Sequence, residues 1–218
     1  MAVADPTLSV ERSILKSGAR YVIGCDEVGR GAIAGPVAVG LSVVEVGVRG
    51  IPAGLRDSKL LSEKRREQLA PLATEWVRFS SVGLATAEEV DRIGIIASLG
   101  LAGKRALIAL HEAGVAIHES VVLLDGAHDW LTGALVKPPR VQTRVKADRD
   151  CASVAAASVI AKVHRDHLMI EADTEHPGYG WPGNKGYGSA DHYAAIGTLG
   201  PSPLHRHSWL KQPSLLPG

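Results

Sequence analysis

The sequence predicts an α/β fold in which a mixed five-stranded sheet is flanked by helices. Three apolar segments in the first 84 residues predict strands, and beyond residue 86 helical and strand patterns alternate. This order indicates three antiparallel strands joined to parallel ones, with helices packed on the sheet. A Gly/Pro-rich loop over residues 176–188 and one more helix predict a small helical segment at the C-terminal end.

The first three strands are predicted from apolar runs and from the loops between them. Residues 20–26 form a continuous apolar run, residues 36–46 alternate loosely, and residues 76–84 offer a third strand. Glycine and proline over residues 47–54 mark the loop after the second strand. A short helix over residues 62–69 precedes the third strand, so we expect an antiparallel meander with that helix inserted.

A capping pattern marks the change from strands to helices. Thr86 with Glu89 fits a capping box, in which each residue satisfies a free backbone N–H group of the other. Apolar residues then recur with helical spacing over residues 93–113, and Gly114 is the expected stop.

Two more strands and two more helices are predicted in the second half of the chain. Residues 121–125 and 141–146 read as short strands that each lead into an acid. An alanine-rich helix is expected at about residues 151–175, and Ser189 can cap a last helix that ends near Gly197.

Length and composition are those of one globular domain. The chain has 218 residues, of which 45% are hydrophobic and 22% charged, with a net charge of +1. We expect a single domain over residues 1–218, with a core at about 18–175 and a C-terminal segment at about 176–218. Since the sequence contains no apolar run of about 18 residues and no secretory signal, we expect a cytoplasmic protein without a membrane partner.

Two cysteines leave two interpretations open. Cys25 and Cys151 both lie near acids of the predicted site. Free cysteine is commonly a small buried residue, and we interpret both as buried thiols. The alternative is that the two thiols lie close enough to oxidise and distort the site.

Acids follow three of the predicted strands: Asp26 with Glu27, then Asp125, then Asp148. Ligands gather outside the carboxyl ends of strands in sheets with parallel elements, so we expect these four carboxylates in one neighbourhood. Their mutual repulsion would raise their pKa values unless cations intervene. Oxygen-only ligands suit Mg²⁺ or Mn²⁺, and two such ions are an established means of phosphodiester cleavage.

Two other acids near the third motif are not predicted to bind metal, and the acids at the end of the first strand can share a site only under one geometric condition. We interpret Asp150 as a helix cap and Asp166 as a structural ion-pair or hydrogen-bonding residue. Adjacent residues of a regular strand point to opposite faces, so Asp26 and Glu27 can share a site only if the strand bends. Residues 28–31 are the expected place for that bend.

Several segments of the chain resemble motifs of one enzyme family. Residues 24–31, Gly-Cys-Asp-Glu-Val-Gly-Arg-Gly, resemble the first motif of type 2 ribonucleases H, the bacterial ribonuclease HII family. Residues 123–126 resemble its second acidic motif, and residues 145–148 with 155–166 resemble its third motif and the following helix. The family more often has glycine where Ala147 stands.

The resemblance implies a ribonuclease H-like fold and assigns roles to residues. The family's catalytic and metal-binding acids match Asp26, Glu27, Asp125 and Asp148. The residues with which the family recognises the step from ribonucleotide to deoxyribonucleotide match Gly29, Arg30, Gly31 and Tyr187. A protein that tells RNA from DNA must read the 2′-hydroxyl, which glycine backbone and a tyrosine can contact.

Further substrate contacts are predicted from a resembling segment and from clustered positive charge. Residues 56–62 resemble a family segment that places Ser58 and Lys59 near phosphates. Basic residues around the third motif and on the tyrosine loop indicate a track for a polyanion. The predicted contacts from this charge are Lys146, Lys162, Arg165 and Lys185. We interpret residues 205–207, His-Arg-His, as a helix-end or phosphate-side contact at most.

The function implied by the resemblance is an endoribonuclease. It would hydrolyse RNA in RNA/DNA hybrids and cut 5′ to ribonucleotides embedded in duplex DNA, leaving 5′-phosphate and 3′-hydroxyl ends. We expect two divalent ions, Mg²⁺ or Mn²⁺, a nucleic-acid partner and a monomer. A DNA-directed nuclease or integrase with the same acids is the alternative enzyme, and a non-catalytic nucleic-acid binder is the alternative outside enzymes.

Overall fold

The computed structural model describes residues 5–210, and at its centre lies a five-stranded sheet with helices on both faces. The strands are β1 (Tyr21–Val28), β2 (Val37–Glu45), β3 (Phe79–Ala85), β4 (Ser120–Asp125) and β5 (Arg140–Arg144). The helices are α1 (Ser9–Lys16), α2 (Glu63–Trp76), α3 (Ala87–Ile93), α4 (Ile95–Glu112), α5 (Ala147–Asp150), α6 (Ala152–Glu175), α7 (Trp181–Asn184) and α8 (Ala190–Leu199).

The order of the strands in the sheet is β3-β2-β1-β4-β5, which makes β1 the central strand. β1 pairs antiparallel with β2, and β2 pairs antiparallel with β3. β4 pairs parallel with β1, and β5 pairs parallel with β4. The predicted mixed sheet, an antiparallel meander extended by parallel strands, is confirmed.

Each face of the sheet is covered by one long helix. α4 packs over β2 and β3, and α6 packs over β1 and β2. The backbone of α6 comes so close that a Cβ atom on Gly24 would lie 2.4 Å from the backbone of Ser153. A Cβ on Gly40 would lie 2.5 Å from the carbonyl oxygen of Ala157. Glycine at these two positions therefore lets α6 lie directly on the central strands.

The sequence reasoning missed α1. This helix buries Ile14 and Leu15 against the core and contains a fully buried acid, Glu11. One carboxyl oxygen of Glu11 accepts hydrogen bonds from the N–H (2.9 Å) and the hydroxyl (2.8 Å) of Ser153, in the first turn of α6. α1 thus fixes the start of the long helix, a contact between residues 142 positions apart in the chain.

Two helix boundaries differ from the predicted ones. The predicted helix over residues 62–69 continues to Trp76, so β3 begins at Phe79 and the predicted strand start at residue 76 is wrong. Pro71 lies inside this helix, and Leu69 and Ala73 on either side of it are buried. Proline in a helix interior costs about 3 kcal/mol, and burial of the apolar face offsets that cost.

A glycine also interrupts the helix predicted over residues 93–113. Gly94 adopts a φ of 78° and separates α3 from α4, while Gly114, with a φ of 93°, ends α4 as predicted. The capping box of Thr86 and Glu89 is present in both directions, and Ser189 caps α8.

The predicted cap of the long helix is wrong. The residue before α6 is Cys151, and its side chain makes no capping hydrogen bond. The carboxylate of Asp150 instead accepts a hydrogen bond from Arg144 at 2.9 Å.

Both cysteines are buried free thiols, as the first interpretation held. Cys25 lies in the core cluster beneath α4, whereas Cys151 lies in the cluster on the α6 side of the sheet. The sheet separates the two thiols, which removes the alternative of a disulfide between them.

Within residues 5–210, no helix combines the length and the apolar character that crossing a membrane would need.

Candidate active site

Asp26 and Asp125 lie side by side at the end of the parallel strand pair. The last paired residues of β1 and β4 are Cys25 and Leu124, and the two acids follow directly. Side chains alternate along a strand, and Gly24 and Leu123 face α6. Asp26 and Asp125 therefore both face α6, as neighbours on adjacent strands.

Asp26 is a buried carboxyl group with incomplete hydrogen bonding. Its side chain is 2% exposed, and its Oδ1 accepts a hydrogen bond from the N–H of Glu27 at 2.9 Å. Its Oδ2 has no hydrogen-bond partner. Burial raises the pKa of Asp26 to about 8, against the opposing effects of the Ser158 hydroxyl and the Lys59 ammonium. A buried oxygen without a partner is costly, and a cation would satisfy it.

Asp125 holds the turn that carries Asp148. The Oδ1 of Asp125 accepts hydrogen bonds from the N–H groups of Ala147 (2.7 Å) and Asp148 (3.4 Å). Lys146 adopts a left-handed backbone (φ 62°), which ends the extended segment and starts α5. Asp148 thus lies on a helical turn, and the prediction that it ends a strand is wrong. Burial raises its pKa, and the charges of Asp125 and Asp57 raise it further.

Glu27 approaches the other acids from the opposite face of β1. The register between β1 and β2 is unbroken through Glu27 and Val28, so Asp26 and Glu27 point to opposite faces of the strand, and the bend expected over residues 28–31 comes after both acids. The chain turns only at Gly29, with a φ of 81°. Burial raises the pKa of Glu27, the Arg30 guanidinium opposes that rise, and Asp125 adds to it. The carboxylates of Glu27 and Asp125 are therefore electrostatically coupled across the strand end.

We call Asp26, Glu27, Asp125 and Asp148 the acidic site. Within residues 5–210, no three His, Cys, Asp or Glu side chains are arranged to hold a metal ion directly. The donor set is nevertheless oxygen only, the unpartnered Oδ2 of Asp26 lies inside it, and mutual repulsion contributes to the raised pKa values. These features fit hard divalent cations.

Lys59 is the cation next to the acidic site. Its Nζ lies 3.3 Å from Oδ2 of Asp148 and 4.0 Å from Oδ1 of Asp57. Desolvation lowers its pKa, but the charges of Asp26, Asp57 and Asp148 outweigh this and raise the pKa above its usual value. Lys59 was predicted as a phosphate contact, and the structure places its largely exposed side chain at the rim of the acids.

Ser58, the other predicted contact in this segment, is buried. Its hydroxyl accepts a hydrogen bond from the Ser158 hydroxyl at 2.9 Å, and its N–H donates to the same Ser158 oxygen at 3.4 Å. Ser58 therefore connects its loop to α6 beside the acidic site. It offers no surface to a substrate, and we assign it to positioning instead of the predicted contact.

Residues 29–35, which we call the glycine loop, follow β1 directly. Gly29 has a φ of 81°, and a Cβ atom there would lie 2.1 Å from Nε of Arg165. Both the backbone angle and the space exclude a larger residue. Arg30 and Gly31 are exposed at the tip of the loop, where a ligand can approach their backbone.

Residues 184–188, which we call the tyrosine loop, are joined to the glycine loop by hydrogen bonds. The carbonyl oxygen of Gly186 accepts from the N–H groups of Ile33 (2.9 Å) and Ala34 (3.0 Å). The side chain of Tyr187 is exposed. The structure therefore brings together the two segments that the sequence reasoning paired as the ribose reader.

Arg165 was predicted as a substrate contact, and the structure gives it another place. It is fully buried, and its guanidinium donates to the carbonyl oxygens of Pro36 (2.8 Å), Lys185 (2.8 Å) and Ala34 (3.0 Å). Its guanidinium carbon lies 5.5 Å from the centre of the Tyr187 ring. Burial leaves Arg165 no surface for a substrate, so it positions both loops instead of contacting the ligand.

Lys185 is also buried, which corrects the prediction of a direct contact. Its Nζ donates to Oε1 of Glu63 at 3.1 Å and to the carbonyl oxygen of Pro182. Its backbone is left-handed, with a φ of 51°. The ammonium group ties the tyrosine loop to the start of α2.

Two other predicted basic contacts remain accessible. Lys146 is exposed on the turn before Asp148. Lys162 is partly exposed. Its Nζ lies 2.7 Å from Oδ1 of Asp166 and 5.6 Å from the centre of the Tyr187 ring. Asp166 itself is buried and ion-paired, as its structural interpretation predicted.

A buried histidine pair behind the tyrosine loop was missed by the sequence reasoning. The N–H of Ser202 donates to Nδ1 of His205 (2.9 Å), and the indole N–H of Trp181 donates to Nε2 of His192 (3.1 Å). These donors fix the tautomers: His205 donates from Nε2 to His192 (3.1 Å), and His192 donates from Nδ1 to the carbonyl oxygen of Tyr187 (2.9 Å). Desolvation lowers the pKa of His205 to about 4, so the pair is neutral at pH 7.

Residues 205 and 206 are therefore not the helix-end or phosphate-side contact that the sequence suggested. Both are fully buried. Sequence gave only a weak signal for them, since a His-Arg-His run near a chain end is compatible with many environments.

Comparison with known proteins places the chain beside one family. The family model described as Ribonuclease HII matches residues 23–212. A protein named Ribonuclease HII from Streptomyces avermitilis is 47% identical over 210 residues, which covers 96% of this chain and 85% of the relative. One of the same name from Paracoccus denitrificans is 43% identical over 207 residues, covering 94% and 91%. The crystal structure of the ribonuclease H2 from Pyrococcus horikoshii OT3 has a TM-score of 0.67 at 25% identity, covering 87% of this chain and 93% of that one.

Proposed function

The chain belongs to the ribonuclease HII family and is an endoribonuclease, and from this premise we propose its reaction and the residues that perform it. It hydrolyses RNA in RNA/DNA hybrids and cuts duplex DNA on the 5′ side of an embedded ribonucleotide. The products carry 5′-phosphate and 3′-hydroxyl ends. Its fold is ribonuclease H-like, as the resemblance in its sequence predicted.

The observation that carries the proposal is the acidic site, above all the unpartnered Oδ2 of Asp26 beside Asp125. A buried group in this state is typical of a site that a ligand completes. Asp26, Glu27, Asp125 and Asp148 would hold two divalent ions, Mg²⁺ or Mn²⁺. When bound, such ions supply an activated water and stabilise the leaving oxygen of a phosphodiester.

The chain's own cations and hydrogen bonds prepare this site. Asp125 fixes the position of Asp148 through two backbone N–H groups. The ammonium of Lys59 offsets part of the negative charge, and its exposed side chain can turn from Asp148 towards a substrate phosphate. Lys146 and Lys162 lie at accessible positions where they can attract the same backbone.

The glycine and tyrosine loops distinguish a ribonucleotide from a deoxyribonucleotide. The exposed backbone of Arg30 and Gly31 can reach a 2′-hydroxyl, and the Tyr187 ring, 37% exposed, can pack on the sugar. A nuclease directed only at DNA has no use for this pair of loops, and a non-catalytic binder has no use for four converging acids.

The test is a labelled DNA duplex that contains one ribonucleotide, incubated with Mg²⁺ or with Mn²⁺. We expect a single nick 5′ to the ribonucleotide, no cleavage after chelation with EDTA, and no cleavage of the matched all-DNA duplex. Cutting of the all-DNA duplex at a similar rate would favour the DNA-directed alternative.

Asp125→Asn tests the role of the acids in the same assay. The substitution keeps an oxygen that can accept from Ala147, and it removes the charge that a cation needs. We expect cleavage to fall by about a thousandfold or more while binding of the duplex persists. Cleavage at the parent rate would remove Asp125 from the mechanism.

A further inference from the structure

Arg206 lies far from β1 in the chain, yet its side chain is inserted behind the tip of the glycine loop. It is fully buried. Its Nη2 donates to the carbonyl oxygen of Gly29 (2.7 Å) and its Nη1 to that of Arg30 (3.0 Å). Nε and Nη2 also reach the carbonyl oxygen of Gly35, at 3.3 and 3.2 Å. One guanidinium thus holds both ends of the loop.

The main chain beside Arg206 is anchored to the same loop independently of the side chain. The N–H of Arg206 donates to Ile33 (2.8 Å), and the N–H of Gly35 donates to Leu204 (2.8 Å). Ala34 and His205 form an antiparallel bridge between these bonds. Because these contacts use backbone atoms, they persist when the Arg206 side chain is changed.

The guanidinium contributes to the direction in which two peptide groups point. The carbonyl oxygen of Gly29 also accepts from the N–H of Ala32 at 3.2 Å, whereas Arg206 is the donor to the carbonyl oxygen of Arg30. In a trans peptide the C=O and N–H groups point in opposite directions, and none of the peptide bonds in residues 5–210 is cis. Arg206 holds the carbonyls of Gly29 and Arg30 towards the interior. The N–H groups of the same two peptides, those of Arg30 and Gly31, therefore point outward.

Those two N–H groups are available to a ligand. Both residues are exposed, and a Cβ on Gly31 would meet no atom within 4 Å. Among the described residues, neither N–H donates to a protein acceptor. Two adjacent outward N–H groups next to the acidic site form a small donor surface for a sugar hydroxyl oxygen.

We propose that Arg206 is a positioning residue for ribose recognition, which presents the amides of Arg30 and Gly31 by holding the carbonyls on the far side of both peptides. This inference rests on the proposed function, since it concerns how that enzyme reads the ribonucleotide. Lysine cannot replace the forked guanidinium of Arg206, because one ammonium group does not span carbonyl groups at both ends of the glycine loop.

The test compares Arg206→Lys with the parent on two quantities in Mg²⁺. The first is kcat/KM for nicking the duplex with one ribonucleotide, and the second is the inhibition constant of the matched all-DNA duplex as a competitor. We expect kcat/KM to fall by about tenfold or more, the loss of roughly one hydrogen bond in free energy. The inhibition constant should stay within about twofold, because the phosphate contacts lie elsewhere.

Arg78→Lys is the matched control, since Arg78 is an exposed arginine beside Glu45 at the opposite end of the sheet. It should change neither quantity. If Arg206→Lys weakens both quantities in parallel, Arg206 supports the fold only, and the proposal is overturned. If the parent nicks the duplex and Arg206→Lys nicks it equally well, the proposal also fails while the proposed function stands. A parent that does not nick would instead overturn the proposed function.

Hydrogen exchange on the parent protein gives an answer even if Arg206→Lys fails to fold. The amides of Arg30 and Gly31 should exchange rapidly in the free protein, and the ribonucleotide duplex with EDTA present should protect them more than the all-DNA duplex does. Protection of either amide in the free protein, or equal protection by both duplexes, would contradict the outward orientation or its role.

Discussion

Two regions with buried charge adjoin at the end of β1, and they satisfy that charge in opposite ways. The acidic site leaves Oδ2 of Asp26 without a hydrogen-bond partner, and burial, together with repulsion from the neighbouring carboxylates, raises the pKa values of Asp26 and Asp148. Behind the glycine and tyrosine loops, Arg165 and Arg206 are fully buried, and each donates to three main-chain carbonyl groups. We call these two arginines the arginine brace.

The difference separates the part of the molecule that does chemistry from the part that holds it in place. A site with unbalanced charge and free acceptors is costly alone and gains from a bound cation. Guanidinium groups that donate from all three nitrogen atoms to carbonyls gain little from a ligand and lose much when truncated. Substitutions in the acidic site should therefore cost activity, and changes around the brace should cost geometry or stability.

The largest expected effect comes from Asp26→Asn. We expect kcat to fall by about a thousandfold or more, since a cation-binding charge is lost. In EDTA, the free energy of unfolding should not decrease, because burial makes the Asp26 carboxyl unfavourable to ionise, with a pKa of about 8, and a neutral amide avoids that cost. Nicking rates and urea unfolding in EDTA measure the two quantities.

A clearly lower stability of Asp26→Asn than of the parent in EDTA would contradict this difference between the two regions. That result would mean that the carboxylate is a structural group, satisfied in the folded protein like those of the brace. Glu45→Gln, an exposed acid at the other end of the sheet, is the control and should leave both quantities unchanged.

The second prediction concerns the histidine pair that supports the tyrosine loop. The folded pKa of His205 is about 4, below its ordinary value of 6.5, so the unfolded chain binds more protons between these pH values. Its contribution to stability is complete above about pH 6.5 and is lost as the pH falls towards 4. The total loss is about 3 kcal/mol.

Urea unfolding of the parent and of His205→Asn across this pH range measures the effect. The raised pKa of Asp26 acts with the opposite sign, because that group favours folding as the pH falls, so the difference between the two proteins isolates His205. We expect the parent to lose more stability on acidification than His205→Asn does. His207→Gln, a change at an exposed neighbour, should follow the parent, and parallel curves for all three would show that protonation of His205 costs the fold nothing.

Local patterns predicted the sheet and the approach of the acids to one another. Apolar runs that stop at Asp26 and Asp125 place both at the same end of parallel strands, and the pairing of β1 with β4 confirms their neighbourhood. The capping box at Thr86 and the cap at Ser189 were equally local. Such signals need only a few adjacent residues, which is why they could be predicted.

The features that were not predicted from the sequence depend on contacts between distant segments of the chain. Asp148 lies on a helical turn because Asp125 accepts from the backbone there, across 23 residues. Arg206 reaches the glycine loop across 177 residues, and Glu11 reaches Ser153 across 142. Whether a polar side chain is buried or exposed is decided by such contacts, so Arg165 and Lys185 were taken for substrate contacts.

The smallest expected effect comes from Asp150→Asn, which sets an exposed acid against the acidic site only two residues away in the chain. Asp150 lies two residues after Asp148, but it is exposed and pairs with Arg144, whose side chain is also largely exposed. An exposed ion pair contributes about 0.5 kcal/mol or less. We expect stability to change by no more than this and kcat to stay within about twofold, whereas Asp148→Asn should lose activity as Asp26→Asn does. Equal losses from the two variants would mean that both acids of this turn are needed, and that burial within the acidic site does not select the functional acid.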